Sequence, residues 1–327
     1  MAMIRKPNPV LEDMPPNVME RIVTLGEIEE RYKMRKVSKI LKSHIDSMNL
    51  QMEEFAIWIY DTYTCFDFIF PNERYMIKYL DHLEGCTVKK EDPQNDYGDD
   101  DYENTEGTLL TGESFWQVAA RDMSVFLGNP KLKILNFKIT MSRSIFSDLF
   151  FDHLSKYHKK SSWNCKNLIT RYDGPDGDLV PLISHIKSAH LKSIHFEKMD
   201  PAKPITEIVK LPQWKNALRL DIDHIEHLMD FKDWKNFEFI DIGVDEFTVE
   251  QFEEIHEHFS TANTMQRCSI GANKIDFEKL KSILRTNVLK LEPETQITQA
   301  FENLNSKSRF SVTVSNGGVC FRRVKAQ

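Results

Sequence analysis

One short pattern keeps returning in the middle and C-terminal part of this chain. Leu132-x-x-Leu135-x-Phe137 is followed by Leu191-x-x-Ile194-x-Phe196, Ala217-x-x-Leu220-x-Ile222, Phe237-x-x-Ile240-x-Ile242 and Met265-x-x-Cys268-x-Ile270, with Cys165-x-x-Leu168 as a weaker copy. The copies start about 20 to 33 residues apart, within the range of stacked strand-plus-helix repeats. Alternation of apolar and polar residues marks each copy as a half-buried strand. Helical spacing marks the stretches between them. Ile145, Leu149 and Phe150 share a face, as do Leu179, Leu182, Ile183 and Ile186. Thr248-x-x-Gln251 is a capping box ahead of Phe252, Ile255 and Phe259, and Asp276 can cap a helix carrying Phe277, Leu280 and Leu284. A single strand–helix unit leaves one apolar face bare, so such units must stack on one another. The expectation is an irregular strand/helix solenoid within residues 113–327, closed by a hairpin of Phe310 to Val314 and Val319 to Phe321 around Asn316-Gly317-Gly318.

The segment before the repeats reads differently. Phe55 to Tyr60 and Cys65 to Phe70 are rich in aromatic and β-branched residues and read as strands, with Cys86 to Lys89 as a possible third. Glu91 to Glu106 is an acidic run with almost nothing apolar besides Tyr97 and Tyr102. Such a run repels itself and is expected as a solvated, disordered loop, 91–106, within a β-rich connecting segment, 50–112. A calcium loop would need alternating ligands around a fixed glycine, whereas Gly98 is followed by three successive acids. Ser114 to Leu127 then reads as a helix stopped by Gly128-Asn129-Pro130.

Composition narrows the function. Of 327 residues 41% are hydrophobic and 28% charged, with a net charge of -7. That balance suits a globular protein and lacks the basic footprint of a general nucleic-acid binder. Cys65, Cys86, Cys165, Cys268 and Cys320 are odd in number and scattered, which reads as free thiols in a reducing compartment. No apolar core follows Met1-Ala2-Met3-Ile4-Arg5-Lys6-Pro7, and no apolar run is long enough to span a membrane, so the expected home is cytoplasmic or nuclear.

The N-terminal stretch 9–48 carries the functional signal. Met14-Pro15 opens a helix, since proline fits its first turn, and Val18, Met19, Ile22 and Val23 form one apolar stripe. Met34, Val37, Leu41 and Ile45 form a second. Two short amphipathic helices cannot bury their faces against each other alone. This stretch resembles the F-box: Met14-Pro15 stands for the family's Leu-Pro, followed by Val18, Ile22 and the run Arg35-Lys36-Val37-Ser38. Between Leu25 and Met34, where the family keeps apolar residues, this chain has Gly26, Glu27, Glu29, Glu30 and Arg31. An F-box, aromatic strands and then leucine-rich-repeat-like units together resemble the nematode-type F-box proteins with an FTH domain. The resemblance implies docking on a Skp-type adaptor, and through it a cullin, by Leu11, Met14, Pro15, Val18, Ile22, Val37 and Leu41. A helical cap on the following domain is the competing reading of the same stretch.

Motifs of bond chemistry are incomplete. Gly107 to Ser114 nearly fits the phosphate-binding loop, but Glu113 stands where a lysine must reach the phosphates. His224 and His227 lack a third ligand nearby, and His256 and His258 sit two apart, where helical side chains diverge. The Asp221 and Asp223 pair has neither a nucleophile nor an apolar pocket to tune it. The chain is therefore expected to be a non-enzymatic α+β protein: a small helical F-box, then a leucine-rich-repeat-like solenoid, needing no cofactor or metal and binding no nucleic acid or membrane. Its partner would be an unidentified protein target. In the repeats Leu135 and Phe137, Ile194 and Phe196, Leu220 and Ile222, and Ile240 and Ile242 should face the core. Asn136, Lys138, Ser193, His195, Arg219, Asp221, Asp223, Asp241, Arg267 and Ser269 should face outward as the target surface.

Overall fold

A strand with one apolar edge gains stability only beside other strands and under a covering layer, and the chain meets both needs with a single sheet. The structure, a computed structural model, describes residues 14–26, 28–48, 50–91, 107–141, 145–157, 163–172, 174, 176–200, 205–284, 296–306 and 308–324. The acidic run from residue 92 to 106 lies outside these, as does Leu11. Three short helices come first: α1 (Pro16–Leu25), α2 (Ile28–Val37) and α3 (Lys39–Ser47). Then β1 (Gln51–Ile59), β2 (Tyr63–Ile69), β3 (Arg74–His82), β4 (Gly85–Glu91) and β5 (Thr108–Thr111) form an antiparallel meander. The helix α4 (Phe115–Leu127) follows, its N-terminal residue Ser114 donating its backbone N–H to Gln117 Oε1 at 2.9 Å.

Strands and helices alternate thereafter. They run β6 (Lys133–Met141), α5 (Ile145–Tyr157), β7 (Asn164–Tyr172), α6 (Val180–Ser184), β8 (Ser193–Lys198), α7 (Pro212–Asn216), β9 (Arg219–Ile225), α8 (Phe231–Trp234), β10 (Phe239–Phe247), α9 (Val249–Thr261) and β11 (Arg267–Ile275). After α10 (Phe277–Leu284), β12 (Gln296–Glu302), β13 (Arg309–Ser315) and β14 (Gly318–Val324) finish the chain. All described strands belong to one open 14-stranded sheet of order β12-β13-β14-β11-β10-β9-β8-β7-β6-β1-β2-β3-β4-β5. Its centre, β1 and then β6 to β11 in chain order, is parallel, and both flanks are antiparallel. The protein is thus a mixed α/β chain with a helical unit at its N-terminus.

Register explains the recurring pattern. One row across the parallel strands reads Phe55, Phe137, Leu168, Ile194, Leu220, Ile240 and Cys268. The next reads Ile57, Ile139, Thr170, Phe196, Ile222, Ile242 and Ile270. All are buried, and the connecting helices contribute Phe150, Leu154, Leu182, Trp214, Trp234, Phe252 and Phe259 to the same core. Burying each large apolar side chain there is worth about 1.5–3 kcal/mol. Phe55 and Phe137 stack across the β1–β6 junction with ring centroids 5.5 Å apart and planes 7° apart.

Two sequence expectations change with this register. The copy that begins at Leu132 is displaced: Leu135 is 41% exposed, whereas Ile134 is 3% exposed and pairs with Cys165. The true copy is Ile134-x-x-Phe137-x-Ile139, because the two positions between the first and second buried residues both face away from the core. Further, Met52-x-x-Phe55-x-Ile57 on β1 is a copy in register with the rest, Met52 pairing with Ile134. The sequence hid it, because the β2 to α4 excursion separates it from β6. The weak copy at Cys165 is genuine; its third position is Thr170, buried with its hydroxyl unbonded.

The C-terminal flank of the sheet is held by polar latches. Arg323 on β14 donates from Nε to the Met265 carbonyl at 2.9 Å and from Nη2 to the carbonyls of Phe259 and Ala262, at the end of α9. Asn303 Nδ2 donates to the same Phe259 carbonyl at 2.8 Å. Cations and amides there meet carbonyls left free by the helix end. The Thr248–Gln251 capping box and the Asp276 cap expected from sequence are both formed, with Gln251 N–H on Thr248 Oγ1 at 3.3 Å and Lys279 N–H on Asp276 Oδ1 at 3.0 Å.

Two outcomes test this description. Ile134→Asp should cost several kcal/mol in chemical denaturation, because a charge would enter the core, while Leu135→Asp should stay within about 0.5 kcal/mol; equal costs would restore the displaced register. A second test uses pH. Burial lowers the pKa of His185, His256 and His258 below 6.5. His256 Nε2 is buried without a partner, and its ring lies 4.6 Å from Phe301 and 5.6 Å from Phe310. Below about pH 6.5 the unfolded chain takes up protons that the folded chain refuses, so this contribution is complete above that pH and is lost as pH falls towards the lowered values. The Tm should drop between pH 7.5 and 5, and His256→Phe should flatten the slope; an unchanged slope would remove His256 from the account.

Candidate functional site

Two surfaces hold the candidate residues. The first is the helical unit. Its core is Met19, Val23, Leu41 and Ile45, with Met14, Met34 and Met48 packed around it. The run Arg35-Lys36-Val37-Ser38 closes α2. It spans the joint between α2 and α3, and Ser38 caps α3 by accepting the Ile40 N–H at 3.2 Å. Of the adaptor candidates, Pro15 and Val18 are exposed, Met14 is half-buried, and Leu41 is 3% exposed inside the unit's own core. In this structure Leu41 packs with Met19 and Val23 of α1 and Ile45 of α3, so it is not exposed on the unit's surface as Val18 is. The side chains of Ile22 and Val37 lie outside the described residues, together with Leu11. Ile40 on α3 is 50% exposed and was missed by the sequence reading, which followed only the inward stripe.

The second surface is the sheet face opposite the core. Here the outward residues fall into two rows. One runs Glu54, Asn136, Asn167, Ser193, Arg219, Phe239, Arg267 and Arg322. The next runs Ala56, Lys138, Ile169, His195, Asp221, Asp241, Ser269 and Cys320. The expected outward residues Asn136, Lys138, Ser193, His195, Arg219, Asp221, Asp241, Arg267 and Ser269 lie in these rows, and Asp223 lies beyond them on β9. Phe239, 42% exposed, and Arg322 belong to the same surface and were not anticipated. Their signal was present, since each occupies the position before a buried strand residue or opposite one already named.

Contacts tie the rows together. Asn167 Nδ2 donates to Asn136 Oδ1 at 2.9 Å, and Lys138 Nζ meets Glu197 Oε1 at 3.0 Å. His195 Nε2 lies 2.9 Å from Asp223 Oδ1, and Arg219 Nε donates to Asp221 Oδ2 at 2.7 Å. Arg267 and Asp241 are looser, at 3.9 Å. The hydrogen bond to Asp221 raises the Arg219 pKa further. These pairs are exposed enough for water to compete, so each is worth little to folding. Charge is segregated along the strands. Arg219, Arg267 and Arg322 occupy one row, Asp221 and Asp241 the next, and Asp223 and Asp245 lie further along β9 and β10.

The same face closes over itself at the antiparallel flank. The Asp67 side chain is 2% exposed and takes a bidentate Arg74, with contacts of 3.0, 3.1 and 2.8 Å. Lys78 meets Glu91 at 3.3 Å and lies 4.6 Å from the centre of the Tyr63 ring. Burial raises the Glu54 pKa, opposed by nearby Lys138. The open part of the face therefore lies over β6 to β11.

Elsewhere the possible chemical groups diverge. His224 turns to Asp245 at 3.3 Å and His227 to Glu226 at 3.4 Å, so the two imidazoles do not converge. Burial pushes the thiols of Cys65, Cys86 and Cys165 up to about 12, which keeps them protonated. All five cysteines are free. No helix among the described residues is long and apolar enough to cross a membrane.

Comparison with family models agrees with this division. The F-box model matches residues 11–52, over the three helices and the start of β1. The FTH domain model matches residues 148–292, over most of the parallel strands and their helices. The chain carries an F-box domain and a C-terminal FTH domain. Searches of curated proteins and of solved structures return no match. β1, whose first residues the F-box match reaches, pairs with β6, and β6 pairs in turn with β7, the first strand inside the FTH match.

Proposed function

We propose that this protein is the substrate-recognition subunit of an SCF-type cullin–RING ubiquitin ligase. The F-box at residues 11–52 carries the reading, since an F-box suggests substrate recognition in such ligases and adaptor binding in general. In the finer reading, 9–48 docks on a Skp-type adaptor, which brings a cullin, while 113–327, with 50–112 as its β-rich lead-in, binds the protein target. The protein performs no bond chemistry and raises the effective concentration of a target lysine near a charged enzyme. It works in the cytoplasm or nucleus.

The repeat domain acts in this reading as an irregular leucine-rich-repeat-like solenoid, and its helix-free face is the target surface. The strands β6 to β11, in register, carry two adjacent rows of partly exposed side chains, the kind of extended surface that repeat proteins offer to partners. Arginine beside an exposed aromatic is the composition of binding hot spots, so Arg219, Phe239 and Arg267 join Asn136, Lys138, His195, Asp221, Asp223 and Asp241 there. A scaffold unconnected to ubiquitin, with the helical unit as a cap, is the competing reading.

Adaptor titration separates the two. Val18→Asp and Ile40→Asp alter exposed apolar positions and should each cost about 2 kcal/mol or more of adaptor binding, roughly 30-fold in Kd, without loss of helical signal. Leu41→Asp should instead melt the helical unit. Wild-type protein that fails to bind any Skp-type adaptor would favour the scaffold. For the target surface, changing His195, Asp221 and Asp241 together to alanine should preserve folding and adaptor binding but abolish recovery of copurified targets. Unchanged recovery would move the target site to the loops at the strand ends or to the hairpin around Asn316.

A further inference from the structure

The polar middle of the F-box, where the family keeps apolar residues, has a physical use. Arg31 on α2 donates from Nε to the carbonyls of Val23 and Gly26, at 2.8 and 2.9 Å, and so caps the end of α1. One turn later the Arg35 side chain is only 6% exposed, the most buried charged side chain among the described residues of the unit. Its Nε donates to Asp46 Oδ1 at 2.6 Å and its Nη2 to Asp46 Oδ2 at 3.2 Å, which joins α2 to α3. Its remaining arm leaves the F-box: Nη1 donates to the Val125 carbonyl in the last turn of α4. A carbonyl in a last helical turn has no partner within the helix and carries the negative end of the helix dipole, so a guanidinium suits it.

Other contacts follow the same seam. Lys131 Nζ donates to the Ser47 carbonyl, the last residue of α3, at 2.7 Å, and Lys133 N–H donates to the Leu50 carbonyl at 2.9 Å. Arg31, Arg35, Ile45, Leu50, Phe126, Asn129 and Leu132 line the shallow pocket between the two parts. Removing a partner from a buried charge leaves it uncompensated, so Arg35 disfavours any arrangement that separates α2 from α4. Lysine could not do the same, since only the planar fork serves a carboxylate and a carbonyl together.

We propose that Arg35 is a positioning residue: it clamps the F-box on the end of α4 and so fixes the adaptor-binding helices relative to the target face of the sheet. Arg35 belongs to the run that signals an F-box in the sequence, yet its contacts are internal. The consequence for ubiquitin transfer rests on the ligase reading above; the clamp itself does not.

The test is a distance measurement on the full chain. Spin labels are placed at Lys42→Cys on α3 and Leu304→Cys beyond β12, both exposed, with Cys320→Ser to remove the most accessible native thiol. Double electron–electron resonance should give one narrow distance for this protein. Arg35→Met keeps the length of the side chain and should broaden the distribution at least twofold, while Arg35→Lys should fail to restore it. Adaptor affinity should stay within about twofold. An unchanged width in a folded Arg35→Met protein overturns the proposal. Should that variant melt the F-box, Lys131→Met, which lies outside it, decides: a broader distance supports the clamp and an unchanged one refutes it. A parent protein that binds no Skp-type adaptor would sink the ligase reading and still leave the distances to report on the clamp.

Discussion

The structure depends on keeping one register across its parallel strands. Phe55, Phe137, Leu168, Ile194, Leu220, Ile240 and Cys268 occupy a single row, so every strand turns the same side chains toward the helices. A slip of one residue in any strand would exchange its buried and exposed sets. The connectors can therefore vary, from the long α9 to the single turn of α8, without disturbing the core. They are also bonded to one another: Gln213 Nε2 reaches the Ile186 carbonyl at 2.6 Å, and Trp214 Nε1 reaches the Asp233 carbonyl at 2.6 Å. These bonds satisfy polar groups that burial would otherwise penalise.

A run of parallel strands has two open ends, and the chain finishes each with antiparallel strands and an arginine. At one end β14 turns back onto β11, and Arg323 binds the end of α9. At the other, β2 to β5 extend the sheet from β1, and Arg35 holds the F-box to the end of α4. Both arginines address helix carbonyls that have no intrahelical partner. The two ends are built alike from unrelated sequence.

In the proposed reading, function divides between surfaces of different character. The F-box leaves Val18 and Ile40 exposed on short helices whose core, among the described residues, is Met19, Val23, Leu41 and Ile45. The open sheet face is largely polar, with a row containing Arg219, Arg267 and Arg322 beside a row containing Asp221 and Asp241. Such a surface distinguishes partners by the placement of charge more than by buried area, which fits recognition of a particular protein better than general adhesion.

Much of this was legible in the sequence, for physical reasons. Local periodicity determined the helices α4, α9 and α10, because their caps and apolar spacing are encoded within a few residues of each other. It determined the recurring strands at Ile194, Leu220, Ile240 and Cys268 for the same reason, and the Met14-Pro15 and Arg35 to Ser38 runs marked the F-box. Tertiary structure decided what lies across the chain. Whether Ile134 or Leu135 enters the core depends on pairing with β1 and β7, which no local pattern contains. That Met52 to Ile57 belongs to the same set depends on β1 and β6 meeting over a long excursion. Leu41 belongs to an apolar stripe that the sequence leaves bare, and only the packing of the three helices buries it. The partner of Arg35 is a backbone carbonyl on a helix far along the chain, and a backbone carbonyl is the same at every residue, so its position could come only from the fold.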